Sequence, residues 1–232
     1  DTDPFYASFA TPADLSKLLA AGALGQKTGA GFYKKVGKDI QRFDAASGGY
    51  VAAGGKADAI VERILKKPAA ERLKLLRESS NPQAQFLWAL MRNSFHYAAV
   101  HLGAVANSAR DVDFAMRWGF GVKQGPFELW QQAGWKQVAE WVRCDIDAGK
   151  ALSNAPLPDW VFDGRDGVHT AEGSWNPTQQ QYQPLSALPV YQRQFFRENV
   201  VGASVLDPAS AGKTVHEDAS MRLWTLDDEV LQ

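Results

Sequence analysis

Few side chains in this sequence could carry chemistry, and they are scattered. His96, His101, His169 and His216 and the single Cys144 are the candidate bases, metal ligands and nucleophile in 232 residues. A cysteine becomes a useful nucleophile when a histidine takes its proton, and no histidine stands at a spacing that brings one to Cys144. Cys144 therefore reads as a half-buried small residue. The same five positions lack the short, paired spacing of a metal site. His101, in AVHLGA, falls on an apolar helical stripe and reads as a core histidine; the contexts SFHYAA, GVHTAE and TVHEDA make His96, His169 and His216 surface or loop residues. Glycines offer one more possibility. A dinucleotide fingerprint needs its glycines between a strand and a helix, whereas Gly29-Ala30-Gly31 follows a helix-ending loop and precedes a strand-like run. Gly54-Gly55-Lys56 lacks the remaining residues of a phosphate-binding loop. No residue is assigned a catalytic, cofactor-binding or metal role on these grounds.

The elements that would position any site centre on Asp111 to Gly134, DVDFAMRWGFGVKQGPFELWQQAG. Ser108 can cap a helix in which Asp111 stands three residues on, near the positive end of the dipole. Gly119 is expected to stop that helix, with Gly121 helping the bend. A second helix opens at Gly125-Pro126, where proline loses no bond it would have made, and carries Phe127, Leu129 and Trp130 to Gly134. Upstream, Leu87, Leu90, Met91, Ser94, Ala98, Leu102 and Val105 mark the longest helix, from about 82 to 106. Downstream, Val138, Trp141, Val142 and Ile146 continue a helical pattern. Near the start, Leu15, Leu18 and Leu19 define a short helix ending at Gly22, followed by a loop of Gly25, Gly29 and Gly31 and a hairpin turning at Gly37-Lys38. Residues 45–55 read as linker, and 56–67 and 68–78 as two solvated connecting helices.

The ordered string DVDFAM, Gly119 and Gly121, GPFEL and Gly134 resembles the helical C-terminal domain of the L-3-hydroxyacyl-CoA dehydrogenase family. LGQKTGAGFY resembles the signature with which that domain closes. The resemblance implies a mainly α fold, with tandem helical domains of the 6-phosphogluconate dehydrogenase C-terminal-like type and short hairpins after the glycine loops. In the family the catalytic His and its Glu sit in the NAD domain within a His-Phe-Phe-Asn-Pro-like segment, which this sequence lacks. The family's helical domain contributes a substrate-pocket Asn, and the resemblance puts its position near Trp88, in QFLWAL, where no Asn stands.

The two signatures stand in reverse order, which implies two copies. Aligning Ala13–Tyr33 with Ala155–Trp175 at an offset of 142 gives six identities in 21, four of them Gly or Thr of the loop. Residues 1–45 then read as the tail of a first helical domain, 46–80 as a helical linker, 81–190 as a second, degenerate domain, and 191–232 as a linker and the start of a hydratase domain. A short helix is expected after Tyr191 and a strand, Asp-Asp turn and strand at the end. The first residues carry neither an initiator Met nor a signal pattern and read as part of a longer chain.

The function implied is a fragment of an NAD-dependent 3-hydroxyacyl-CoA dehydrogenase of fatty-acid β-oxidation. NAD and acyl-CoA belong to the parent protein, with NAD-binding and hydratase domains on the same chain and a possible homodimer; the fragment itself is expected to bind no cofactor and to be inactive alone. The alternative is a non-enzymatic helical scaffold or dimerisation module; a related β-hydroxyacid or hydroxybutyryl-CoA dehydrogenase is a further reading. With 25 basic and 26 acidic residues, a nucleic-acid partner is not expected. No apolar run reaches membrane-spanning length, and a lone cysteine fits a reducing compartment, hence the cytoplasm.

Overall fold

The computed structural model describes residues 2–184, 187, 213–218, 222–226 and 229–231. The chain divides into two units, Asp1–Gln183 and Pro184–Gln232. Among the described residues are six α-helices and three small antiparallel sheets. The mainly α expectation therefore holds, with hairpins after both glycine loops.

The first unit opens with helix α1 (Ala13–Ala20), stopped where Gly22 takes φ 68°. Strands β1 (Tyr33–Val36) and β2 (Asp39–Asp44) form the expected hairpin around Gly37. The supposed linker contains a third strand, β3 (Gly49–Ala52), paired with β2 from Gln41↔Ala52 to Asp44↔Gly49. Its Gly and Ala content disguised it. Tyr50 supplies what the glycines lack, packing edge-on to Phe43 and donating its hydroxyl to the Gly31 carbonyl at 2.6 Å.

Helices α2 (Ala59–Leu65) and α3 (Ala69–Glu78) are not a solvated pair. Val61, Ile64, Leu73 and Leu76 are buried in the main core, and each such side chain stabilises by about 1.5–3 kcal/mol over leaving it in water. Both sequences are rich in Lys, Arg and Glu, so their narrow apolar stripes were masked by the charge of the outer face.

The central helix is α4 (Pro82–Val105), capped by Asn81, whose Oδ1 accepts from the Gln83 and Ala84 amides. Its buried face runs through Ala84, Trp88, Phe95, Ala99 and Leu102, rotated from the expected stripe. Leu90 and Val105 lie exposed on the other side. Helix α5 (Ala109–Phe120) and helix α6 (Pro126–Asp147) pack against it. Helix α5 ends at Gly121 in the left-handed region, two residues beyond the expected stop at Gly119. Gly134 does not end α6 but kinks it, at φ 105° and ψ 95°. Around the kink Trp130 and Trp135 stack at 4.3 Å, and Trp130 donates its ring N–H to the Trp135 carbonyl.

One buried ionic cluster ties α4 to α6. Asp145 accepts from Trp88 Nε1 at 2.8 Å and from Arg92 Nη1 at 3.2 Å, while Arg92 Nη2 donates to the Lys150 carbonyl at 2.6 Å. Cys144, next to it, faces solvent and is exposed, not half-buried as expected.

His96 is another departure from expectation, because it is fully buried. Its Nε2–H donates to the Ala155 carbonyl at 2.7 Å, and Phe5 packs edge-on against its ring. Burial holds it below the ordinary 6.5. Between the folded and unfolded values the unfolded chain binds the extra proton. Stability contributed by this group is therefore full above the ordinary value and is lost as pH falls through the folded one. Denaturant titrations from about pH 5 to about pH 7 should show stability rising with pH, and His96→Gln, which keeps a donor for Ala155, should flatten that rise.

The first unit closes with a short 3-10 turn (Asp159–Phe162) and strands β4 (His169–Thr170), β5 (Gly173–Asn176) and β6 (Gln181–Gln183). The second unit holds β7 (Lys213–Glu217), β8 (Arg222–Leu226) and β9 (Glu229–Leu231), an antiparallel sheet in that order with a bulge between Thr214 and His216. The two final strands were expected and β7 was not. The expected helix after Tyr191 lies outside the described residues. No helix among the described residues is long and apolar enough to cross a membrane.

Candidate functional site

The motif residues between α5 and α6 build one continuous corner. Ser108 donates its backbone N–H and its hydroxyl to Asp111 Oδ2, at 2.9 and 3.0 Å, fixing the start of α5. One turn later Asp113, fully buried, reaches across to α6. Its Oδ1 accepts from the Phe127 amide at 2.9 Å and its Oδ2 from the Glu128 amide at 3.2 Å. It thus does from a neighbouring helix what an N-cap side chain does from within. Gly125 leaves the space for this, since a Cβ there would lie 2.1 Å from Asp113 Oδ1. Glu128 accepts from the Gly125 amide at 2.8 Å and pairs with Arg117 at 3.0 Å.

The second glycine loop locks onto this corner. His169 Nε2 lies 2.7 Å from Asp113 Oδ2 and its Nδ1 3.1 Å from Ser174 Oγ, which accepts the Arg110 amide at 2.9 Å. Gln131 accepts from the Val168 and His169 amides and donates to the His169 carbonyl, each at 2.9 Å. Burial raises the Asp113 carboxyl above the ordinary carboxylate value, against the opposing pull of His169.

Ser174, His169 and Asp113 have the connectivity of nucleophile, base and acid. Their burial gives them another role. Ser174 and Asp113 are fully enclosed, Asp113 is committed to two backbone amides, and a nucleophile must present its oxygen to a substrate. The direction of the chain is set by its ends. The Arg110 amide occupies the Ser174 oxygen, leaving the hydroxyl proton for Nδ1, and His169 then donates from Nε2 to Asp113. His169 is thus a structural strut and not the surface or loop residue expected. Its partners lie 56 and 5 residues away, a separation at which no local pattern could have announced them.

The other candidates do not converge. His101 is part-exposed, with Nε2 3.2 Å from Asp3 Oδ1 and its ring 4.3 Å from that of Tyr97, so it is not the core histidine expected. His216 is exposed beside Asp218, at 3.2 Å. Among the described residues, no group of His, Cys, Asp or Glu is arranged to hold a metal ion. The glycine loop ending at Gly31 leads into β1 and not into a helix, so it does not fit a pyrophosphate, which needs a helix N-terminus. Trp88, near which the resemblance would put a substrate-pocket Asn, is buried and donates to Asp145.

Beside the corner lies an apolar groove of about 520 Å³. Leu90, Tyr97 and Val105 of α4 form one wall, Val112 and Met116 of α5 another, and Phe9 of the N-terminal turn its edge. The expected stripe is thus divided: Ala98 and Leu102 lie in the core with Leu87 and Met91 packed against it, while Leu90 and Val105 line this groove. The size and lining of the groove suit an apolar ligand segment.

No protein-family model matches the chain, and no solved structure matches it. Over 154 residues it is 35% identical to a probable 3-hydroxyacyl-CoA dehydrogenase of Bacillus subtilis (strain 168). The chain is similar to part of a dehydrogenase. The aligned region covers 66% of this chain and 18% of that relative's length. This similarity supports the dehydrogenase family that the corner motifs resemble.

Proposed function

We propose that these residues form the helical, substrate-side portion of an NAD-dependent 3-hydroxyacyl-CoA dehydrogenase acting in cytoplasmic fatty-acid β-oxidation. The observation that carries the reading is the 35% identity to a probable 3-hydroxyacyl-CoA dehydrogenase over 66% of the chain. NAD is held by a part of the longer protein outside these residues, a placement supported by a glycine loop that precedes a strand. The corner and groove wall part of the acyl-CoA cleft and hold the neighbouring domains in place. Residues 81–190 form a helical domain of the 6-phosphogluconate dehydrogenase C-terminal-like type that has lost its substrate-pocket Asn. The strands β7 to β9 open a hydratase domain.

The groove supports acyl-CoA as the ligand class, because its walls are apolar and it is open at the surface. Titration with a medium-chain acyl-CoA, followed by tryptophan fluorescence, should saturate. Leu90→Asp, at an exposed groove position, should weaken binding by about tenfold, a loss of roughly 1.4 kcal/mol. Absence of saturation, or equal binding by the variant, would remove the groove from the cleft. It would favour the scaffold or dimerisation reading, which the exposed face of α4 also suits.

A further inference from the structure

We propose that Asn93 is the hydrogen-bond donor of the apolar groove: its side-chain Nδ2, held in place by the buried Arg92, binds the carbonyl oxygen of an acyl group whose chain lies along α4. This role rests on the reading of the groove as an acyl cleft and adds to it the residue that recognises the carbonyl.

Asn93 lines the groove between Leu90, one turn before it on α4, and Tyr97, one turn after it. Leu90, Val105, Val112 and Met116 on the walls offer a ligand no hydrogen bond. A carbonyl oxygen carried into such a groove leaves its waters behind and needs a donor there.

The orientation of the Asn93 amide is decided by its neighbour. Arg92 Nε and Nη2 both donate to Asn93 Oδ1, at 3.1 and 3.0 Å. A guanidinium carries N–H donors and no acceptor, so the amide atom that faces it must be the oxygen. The Nδ2 group is then turned away from Arg92 and has no partner among the described residues. The pull of the cation on Oδ1 also strengthens Nδ2–H as a donor.

Arg92 is itself fixed from behind. It is 5% exposed, with Nη1 on Asp145 Oδ2 at 3.2 Å and Nη2 also on the Lys150 carbonyl at 2.6 Å. Asp145 is held in turn by Trp88 Nε1 at 2.8 Å and by Arg77 Nη2 at 3.5 Å. Burying such a pair costs desolvation that its attraction only partly offsets. Here the cluster ends on a side chain in the groove, and it supplies the supporting shell that a precisely aimed donor requires. Arg92 is thus a positioning residue for Asn93.

The other polar groups on the walls are set differently. His101 faces Asp3 at 3.2 Å. Ser8 and Ser94 carry hydroxyls that rotate and so fix no direction for a ligand. Trp88 is buried on another face of α4, so the position to which the family resemblance points is not that of Asn93.

The test compares the binding of decanoyl-CoA with that of S-decyl-CoA, its thioether counterpart without the carbonyl, to the 232-residue chain. The unmodified chain should bind the acyl form about tenfold tighter. Asn93→Asp keeps an oxygen for Arg92 and replaces the donor by an acceptor, so the preference should vanish while the melting temperature holds. The ratio of the two affinities is read, because the added charge acts on both ligands alike. Arg92→Lys, which keeps a cation beside Asp145 but loses the fork, should lower the preference partway. If Asn93→Asp does not fold, Asn93→Leu, which also removes the donor, is read in its place. Equal binding of the two ligands by the unmodified chain, or a preference that survives loss of the donor, would overturn the role of Asn93 and leave the groove an acyl cleft. Binding of neither CoA ligand would instead defeat the acyl-CoA reading. The same comparison with decanoyl-N-methylglucamide and decyl glucoside, below their micelle concentrations, then decides Asn93 by the same two outcomes.

Discussion

Gly125→Ala should destabilise the first unit by about 4 kcal/mol, combining overpacking with loss of a buried hydrogen-bonded carboxylate. The backbone at Gly125, φ −75° and ψ 174°, suits any residue, so conformational strain is not the cause. The added methyl would instead stand 2.3 Å from the Asp113 Cα as well as 2.1 Å from its Oδ1. A side-chain tip can swing aside, but a helix backbone cannot. Helices α5 and α6 would have to separate, releasing the Phe127 and Glu128 amides and the His169 strut together. For a unit of this size the midpoint of thermal unfolding should fall by roughly 10 °C. Gly119→Ala is the control, because a Cβ there meets nothing within 4 Å. It lies within α5 and should be neutral or stabilising by up to about 1 kcal/mol. Equal melting temperatures for the two variants would show that the contact between Gly125 and Asp113 does not hold the corner.

The same corner explains what could be read from the sequence. Its caps, turns and proline are local signals, decided within four residues, and the structure places Ser108, Asp111, Gly125 and Pro126 as the motif suggested. What Asp113 does was not legible, because it caps a helix other than its own and its histidine comes from a distant strand. The stripe read on α4 was right for Ala98 and Leu102 and wrong for Leu90 and Val105, for a different reason. That helix is apolar on two sides, one buried and one lining the groove, and periodicity alone does not say which side meets the core. Helices α2 and α3 were misread because charge on one face concealed Val61, Leu73 and Leu76 on the other. The candidate site followed the same division: the motifs located the corner, while the strut and the groove required the fold.

The second large effect concerns catalysis, and it tests the central claim most directly. Hydride transfer requires a nicotinamide held against the substrate carbon and a base placed to take the hydroxyl proton. In these residues His169 is locked between Asp113 and Ser174, His96 is buried against Ala155, and His101 and His216 sit beside Asp3 and Asp218. Among the described residues, none is arranged with a dinucleotide-binding loop. NADH formation from a 3-hydroxyacyl-CoA should therefore be absent with these 232 residues alone and present with the native full-length protein. Turnover by the purified 232-residue chain that survives removal of contaminating dehydrogenases would contradict the account, as would a full-length protein with no such activity.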